Sequence, residues 1–126
     1  MKKISIVIPT YNEKENINIA YDAVTELFQT KLSAYDYDII FIDNCSTDIS
    51  KTLIRQLAAK DPAHVKAIFN ARNFGQARSH FYGLTQADGD CAVLLHADLQ
   101  NPPEVVVEFV KKWEEGAKVV IGIKDD

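Results

Sequence analysis

Residues 91–98 are Cys91-Ala92-Val93-Leu94-Leu95-His96-Ala97-Asp98, an apolar run that ends in polar side chains. A short apolar run of this kind is typical of a buried strand. His96, Asp98 and Gln100 then fall on alternate positions before Pro102, so in an extended chain their side chains share one side. An imidazole, a carboxylate and an amide oxygen together can ligate a divalent ion, and oxygen ligands favour Mg²⁺ or Mn²⁺. We therefore predict a metal site at the end of this strand.

Asp98 has an alternative role as the N-cap of a helix that begins near Pro103. The separation of several residues makes Asn101 the better-placed cap, because a capping side chain bonds to amides two or three residues ahead of it. The metal site is the interpretation we carry forward.

Apolar runs and helical patterns alternate along the whole chain. This alternation predicts an α/β fold with a mostly parallel sheet, helices on both faces and a site beyond the carboxyl ends of the strands. We expect Ser46 or Thr47 to cap the second helix. The predicted strands are Ile4–Ile8, Tyr37–Ile42, Val65–Phe69, Cys91–Leu95 and Lys118–Ile123, and the predicted helices are Glu15–Lys31, Asp48–Lys60, Gln76–Ala87 and Pro103–Glu115.

Composition limits the classes of protein that this chain can represent. Its 126 residues fit one domain, residues 1–126, and the net charge of −4 gives no positive field that would attract nucleic acid. Cys45 and Cys91 match no metal-ligand or redox spacing, so we expect reduced thiols in a cytoplasmic protein. No apolar run approaches the roughly 20 residues of a membrane helix. The sequence ends directly after a predicted strand, from which we expect a domain truncated at its C-terminus.

Three polar clusters follow predicted strands, at residues 9–13, 43–48 and 96–100. Parallel strands would bring all three to one edge of the sheet. Asp43 there could accept a hydrogen bond from a base or a ribose hydroxyl, or it could simply form an Asx turn. The sequence contains no glycine-rich phosphate loop, which argues against dinucleotide-binding, P-loop and cytidylyltransferase-like enzymes. A metal ion would then have to neutralise the phosphates.

A fourth segment, Arg72-Asn73-Phe74-Gly75-Gln76-Ala77-Arg78, combines guanidinium groups with a glycine before a predicted helix. It could hold a base edge or a phosphate. On the residues alone, a capped surface helix start explains it equally well.

Taken together, four stretches resemble the family 2 glycosyltransferases, which have the GT-A fold. Ile4–Glu13 is similar to the opening strand and P-x-Y-N-E loop of that family, and Ile42–Asp48 to its V-D-D-G-S-x-D element. Arg72–Ala77 is similar to its R-N-x-G-x-x-A stretch, and Ala97–Glu104 to the D-A-D-L-Q-D-P-P-E element of dolichyl-phosphate mannose synthases and undecaprenyl-phosphate sugar transferases. The resemblance implies that Pro9, Tyr11, Glu13, Ile42, Asp43, Arg72, Gln76, Ala97 and Asp98 bind a nucleotide sugar and that His96, Asp98 and Gln100 hold the metal ion.

The resemblance also implies an activity. A sugar would pass from a UDP- or GDP-sugar to an acceptor, most specifically a polyprenyl phosphate, with Mg²⁺ or Mn²⁺ on the diphosphate. The acceptor could instead be a glycan of polysaccharide synthesis, and the domain could instead be a non-catalytic nucleotide-binding or regulatory one. The resemblance is compatible with a parent protein that is anchored at the cytoplasmic face of a membrane. It identifies no catalytic base among these residues.

Four residues depart from the family pattern: His96, Asn44, Cys45 and Asn101 stand where the pattern has Asp, Asp, Gly and Asp. An imidazole is a softer ligand than a carboxylate and loses its lone pair on protonation. We expect metal binding through His96 to be weaker, more dependent on pH or altered in metal preference.

Overall fold

In the part of the chain that the structure describes, four parallel strands form one sheet. The computed structural model describes residues 2–73, 75, 86–97 and 104–116. The predicted α/β architecture is confirmed, with every strand pair parallel. The strands are β1 (Lys3–Thr10), β2 (Asp36–Asp43), β3 (Val65–Phe69) and β4 (Cys91–Leu94), and the helices are α1 (Ile17–Thr30), α2 (Ser50–Lys60) and α3 (Glu104–Glu114).

The strand order reverses beside β1. From β1 the chain moves through β2 to β3 on one side, and β4 then returns to the other side of β1. Crevices for ligands in open α/β sheets lie outside the carboxyl ends of the strands at such a reversal. The loops that follow β1 and β4 therefore flank the position at which this topology places a site.

The two faces of the sheet bury different residues of the same strands. Ile6 and Phe41 belong to the larger core cluster, together with buried residues of the three described helices. Val7 and Ile40, their neighbours in sequence, belong to a smaller cluster on the other face. Apolar residues on both faces explain why these strands lack strict alternation of polar and apolar residues.

Helix α1 shows how the sequence pattern produces this packing. Its buried residues recur at intervals of three or four, so that one stripe of the helix faces the sheet. These residues are Ile17, Ala20, Tyr21, Val24, Leu27 and Phe28. No described helix has the length and apolar composition needed to cross a membrane.

Several predicted boundaries need correction. Strand β1 continues through Pro9 to Thr10, where a loop was predicted, because Pro9 and Thr10 pair in register with Ile42 and Asp43 of β2. Gln86 and Ala87, predicted to form the end of the third helix, are not helical, since Gln86 lies in a turn. The rest of that helix and the strand predicted at 118–123 lie outside the described residues.

The predicted cap of α2 is wrong. Ile49 occupies the N-cap position and makes no side-chain capping bond. Asp48 Oδ1 accepts a hydrogen bond from the Ser50 main-chain N–H at 2.8 Å instead. Ser46 is used elsewhere, because its hydroxyl bonds to Asp43.

A cluster of ion pairs joins the strands at the amino edge of the sheet, opposite the edge where β1 and β2 end. The Asp38 side chain is only 1% exposed, and its Oδ2 lies 3.2 Å from Lys3 Nζ and 2.9 Å from Lys66 Nζ. The same two ammonium groups lie 3.0 and 3.2 Å from carboxylate oxygens of Asp88. A buried carboxylate is tolerated only when it is paired in this way. The cluster thus connects β1, β2, β3 and the segment before β4.

Hydrogen bonds from Lys3 and Lys66 lower the pKa of the exposed Asp88 carboxyl to about 2. A carboxyl whose pKa is lower in the folded than in the unfolded chain stabilises the fold above the unfolded pKa of about 3.9. That contribution is lost as the pH falls from about 4 to about 2.

We predict that Asp88→Asn lowers the free energy of unfolding at pH 7 and that the difference from wild type disappears as the pH approaches 2. The effect at pH 7 should be modest, because the Asp88 side chain is 61% exposed and water screens its ion pairs. Urea unfolding at a series of pH values measures it. Glu108→Gln, at an exposed position of α3, removes the same charge and serves as control. A wild-type-to-variant difference that does not change between pH 4 and pH 2 would contradict the prediction.

Candidate functional site

The described residues of the three predicted polar clusters lie at one edge of the sheet, as expected from the sequence. Thr10 and Asp43 are paired at the carboxyl ends of β1 and β2, and the Asn44 N–H donates to Thr10 O at 2.9 Å. Beyond the end of β4, the Leu95 N–H donates to Val7 O at 2.9 Å. Described residues of all three clusters therefore border the reversal point beside β1.

Asp43 is the most strongly constrained residue of this edge. Its side chain is completely buried and accepts three hydrogen bonds: from Thr10 Oγ1 at 2.9 Å, from the Ser46 N–H at 2.8 Å and from Ser46 Oγ at 2.5 Å. Neutral donors thus satisfy a carboxylate that would be costly to bury alone. The bond to the Ser46 N–H closes the loop locally, so the structural role that we considered for Asp43 is present. Its contact with a base stays a prediction.

A second set of bonds joins the loop after β1 to the loop after β2. The Asn12 N–H donates to Ser46 Oγ at 2.9 Å, and Asn12 Oδ1 accepts from the Thr47 N–H at 2.8 Å. Asn12 has φ of 52°, a left-handed conformation that asparagine tolerates better than most residues. The Glu13 N–H donates to Ser50 Oγ at 3.0 Å. The two loops therefore form one rigid wall of the crevice.

Predicted nucleotide-binding residues on this wall differ in exposure. The Tyr11 ring is 47% exposed and is available to a planar ligand. Pro9 is half-buried at the end of β1, and Glu13 is half-buried with Oε2 accepting from Asn16 Nδ2 at 2.9 Å. The side chain of Ile42 lies in the smaller core cluster, so only its main chain faces the loops.

The segment that contains Arg72 lies beside the end of β2. The Asn70 N–H donates to Asp43 O at 2.9 Å, and Asn44 Nδ2 donates to Asn73 Oδ1 at 2.8 Å. Arg72 is exposed between these two anchored positions. The structure thus brings the described residues of the fourth segment, Arg72, Asn73 and Gly75, to the same edge, which the sequence alone left open. Gln76 lies outside the described residues.

The predicted metal ligands are described only in part. His96 is half-buried just beyond β4, and the neighbouring Ala97 is buried. Asp98 and Gln100 lie outside the described residues. Among the side chains that the structure does describe, no three metal-ligating groups come together. The three-residue metal site stays a prediction.

Sequence reasoning missed the two side chains that hold Asp43. The spacing of Asp43 and Ser46, which is typical of a side chain closing its own loop, could have identified one of them. Thr10 meets Asp43 only through the register of β1 and β2. Asn44 and Asn73 are 29 residues apart, and no sequence pattern predicts their contact.

Comparison with known proteins decides the family. The profile of "Glycosyl transferase family 2" matches residues 5–126. The chain belongs to this family. The resemblance found in the four sequence stretches is thereby confirmed.

Two curated members of the family illustrate the relationship. The chain is 40% identical over 124 residues to a prophage bactoprenol glucosyl transferase homolog of Escherichia coli K12, covering 98% of this chain and 40% of that protein. It is 42% identical over 120 residues to an undecaprenyl-phosphate 4-deoxy-4-formamido-L-arabinose transferase of Yersinia pestis, covering 95% of this chain and 36% of that protein. The chain thus spans about two fifths of the length of these relatives.

A solved structure gives the same fold. A mannosyltransferase from Pyrobaculum calidifontis, solved in complex with GDP-Man and Mn²⁺, superposes with a TM-score of 0.72 at 23% identity over 87% of this chain and 32% of that one. The GT-A fold predicted from the sequence is confirmed.

Cys45 departs from the family motif at a position where the backbone conformation favours glycine. It has φ of 62°, a conformation that disfavours any residue with a Cβ atom, and it stands where the motif has glycine. Its thiol lies 3.8 Å from Ala71 O, a contact that glycine would lose. A thiol is a weak donor, so the backbone strain outweighs this contact.

We predict that Cys45→Gly raises the free energy of unfolding relative to Cys45→Ala by about 1 kcal/mol, since both variants lose the thiol and only glycine relieves the strain. Denaturant unfolding of the two variants measures the difference. Ser46→Gly is compared with Ser46→Ala as a control in the same loop. If alanine at position 45 proved as stable as glycine, the strain at this position would be unimportant.

Proposed function

We propose that this chain supplies the donor-binding part of a glycosyltransferase that moves a sugar from a UDP- or GDP-sugar to a polyprenyl phosphate. The observation that carries the proposal is the convergence of the Tyr11, Asp43 and Arg72 segments at the carboxyl edge of a GT-A sheet. The names of the relatives support the acceptor, since they are transferases of bactoprenol and undecaprenyl phosphate.

The exposed Tyr11 ring would stack on the base of the nucleotide. Stacked aromatic pairs contribute about 0.5–1.5 kcal/mol beyond the area that they bury. Pro9 and Glu13 would line the same wall, and Arg72 would pair with the diphosphate or a base edge.

Asp43 would accept a hydrogen bond from a base N–H. A carboxylate offers about four acceptor positions, and three donors already use positions on Asp43. Because its side chain is completely buried, the loop around Ser46 has to make room for the base.

His96, Asp98 and Gln100 would hold a divalent ion, and the donor set suits Mn²⁺ or Mg²⁺, with the imidazole favouring Mn²⁺. Such an ion supplies positive charge to a departing nucleoside diphosphate. The relative from Pyrobaculum calidifontis was solved with Mn²⁺. The described position of His96, just beyond β4 at the reversal point, is compatible with this role.

A polyprenyl-phosphate acceptor would need little activation by this chain. A phosphate oxygen is already anionic at neutral pH, so its attack on the anomeric carbon needs little help from a general base. Activity and acceptor recognition belong to the whole protein, of whose relatives this chain spans about two fifths. We place the reaction at the cytoplasmic face of a membrane, where a lipid-linked acceptor and a soluble nucleotide sugar meet.

We predict that UDP or GDP binds in the presence of Mn²⁺ and that Asp98→Asn weakens this binding by about tenfold or more, because a metal ligand loses its charge. Isothermal titration calorimetry with UDP, GDP and their sugars, each with and without Mn²⁺, measures both effects. Asp22→Asn, at an exposed position of α1, is the matched control.

Each outcome of this titration decides something. Absence of binding to every nucleotide would refute the donor site. Metal-dependent binding that survives Asp98→Asn would leave Asp98 a structural residue. Metal-independent binding would favour the alternative of a non-catalytic nucleotide-binding domain.

We predict further that Tyr11→Ala weakens nucleotide binding by about three- to tenfold, whereas Tyr11→Phe keeps it within about twofold, because stacking needs the ring and not the hydroxyl. The same calorimetry measures both variants. Equal losses from the two substitutions would point to the hydroxyl and would exclude stacking as the main contribution.

A further inference from the structure

Three asparagine side chains form a hydrogen-bonded row beside the end of β2. Asn70 Nδ2 donates to Asn44 Oδ1 at 3.1 Å, and Asn44 Nδ2 donates to Asn73 Oδ1 at 2.8 Å. Asn73 Oδ1 also accepts from the Gly75 main-chain N–H at 2.8 Å. The row runs from the end of β3, across the buried Asn44, to the turn that contains Arg72.

The Gly75 amide fixes the direction of the whole row. A main-chain N–H can only donate, so the Asn73 atom facing it must be the oxygen. That oxygen also faces Asn44, which must therefore present its Nδ2 group. The remaining Oδ1 of Asn44 then faces the donor of Asn70.

An aspartate at position 44 could not make this contact. Its ionised carboxylate has no proton to donate, so two oxygens would face each other where Asn44 and Asn73 now lie 2.8 Å apart. Turning the Asn73 amide around would repair that contact but would break the bond to Gly75. The family motif has aspartate at this position, so a chain that followed the motif here could not form this row.

We propose that Asn44 is a positioning residue that holds the turn of the described residues Arg72, Asn73 and Gly75 against the loop of Asp43. Gly75 has φ of 87°, so the turn relies on a glycine, and the bond from its N–H to Asn73 Oδ1 closes it. Asn44 connects that closed turn to the end of β2, directly beside the residue proposed to read the base. The link to nucleotide binding rests on the proposed function, whereas the link to the turn does not.

Two isosteric substitutions separate this role from a general effect of charge. Asn44→Asp and Asn73→Asp each replace one amide by one carboxylate in the same hydrogen bond. Asn44 uses its donor in that bond, whereas Asn73 uses only its acceptor in the bonds described. Aspartate can therefore replace Asn73 and cannot replace Asn44.

The first readout is the hydrogen-exchange rate of the Gly75 amide, measured by NMR in the absence of nucleotide. We expect exchange to be at least about tenfold faster in Asn44→Asp and to stay within about twofold of wild type in Asn73→Asp. Asn73→Ala, at an exposed position where folding is not at risk, should behave like Asn44→Asp. If Asn44→Asp fails to fold, Asn73→Ala against Asn73→Asp still decides whether the turn depends on this oxygen.

The second readout is nucleotide affinity by calorimetry. We expect UDP or GDP to bind about tenfold more weakly to Asn44→Asp and Asn73→Ala, and to bind Asn73→Asp within about twofold of wild type. Equal behaviour of the two aspartate variants in both readouts would overturn the proposal. If wild type bound no nucleotide, the proposed function would fail, and Gly75 exchange would still test the positioning role of Asn44.

Discussion

The candidate site depends on one buried carboxylate. Asp43 lies at the end of β2, and the donors that satisfy it come from the end of β1 and from its own loop. Leaving a buried charge without these donors would cost several kcal/mol, so the three groups are held in a fixed relationship. This arrangement also fixes the positions of the loops that carry Tyr11 and Asn44, because a hydrogen bond between Asn12 and Ser46 connects the two loops.

The polar groups of the described wall are mostly neutral. Hydroxyl groups of Thr10 and Ser46 donate to the carboxylate of Asp43, and beside it the amides of Asn44 and Asn73 bond to each other. Neutral donors orient a ligand without competing with it for a counter-ion, which suits a wall meant for a base more than one meant for phosphates. In the proposed function, positive charge for the diphosphate would come from Arg72 and from a metal ion on the β4 side of the crevice.

Much of this could be predicted from the sequence, for identifiable physical reasons. Strands such as Ile4–Ile8 can be predicted from the local run of apolar residues alone. Parallel pairing of the strands then brings the polar residues that follow them together. The cap of α2 was predicted wrongly because Ser46 satisfies two local rules, helix capping and loop closure by Asp43, and only the three-dimensional position of Asp43 decides between them. Contacts such as that of Asn44 with Asn73 depend on the path of a loop and produce no periodic pattern in the sequence.

The strand order has a consequence for how the protein is assembled during synthesis. All bonds around Asp43 and Asn44 described above join residues 10–75, so this half of the site can form while the later chain is still being made. Strand β4 pairs with β1 across a long interval, as the contact of Lys3 with Asp90, 87 residues apart, shows. Closing so long a loop is slow compared with forming local contacts. We therefore expect His96 to reach its place after the wall that carries Tyr11 and Asp43 has formed.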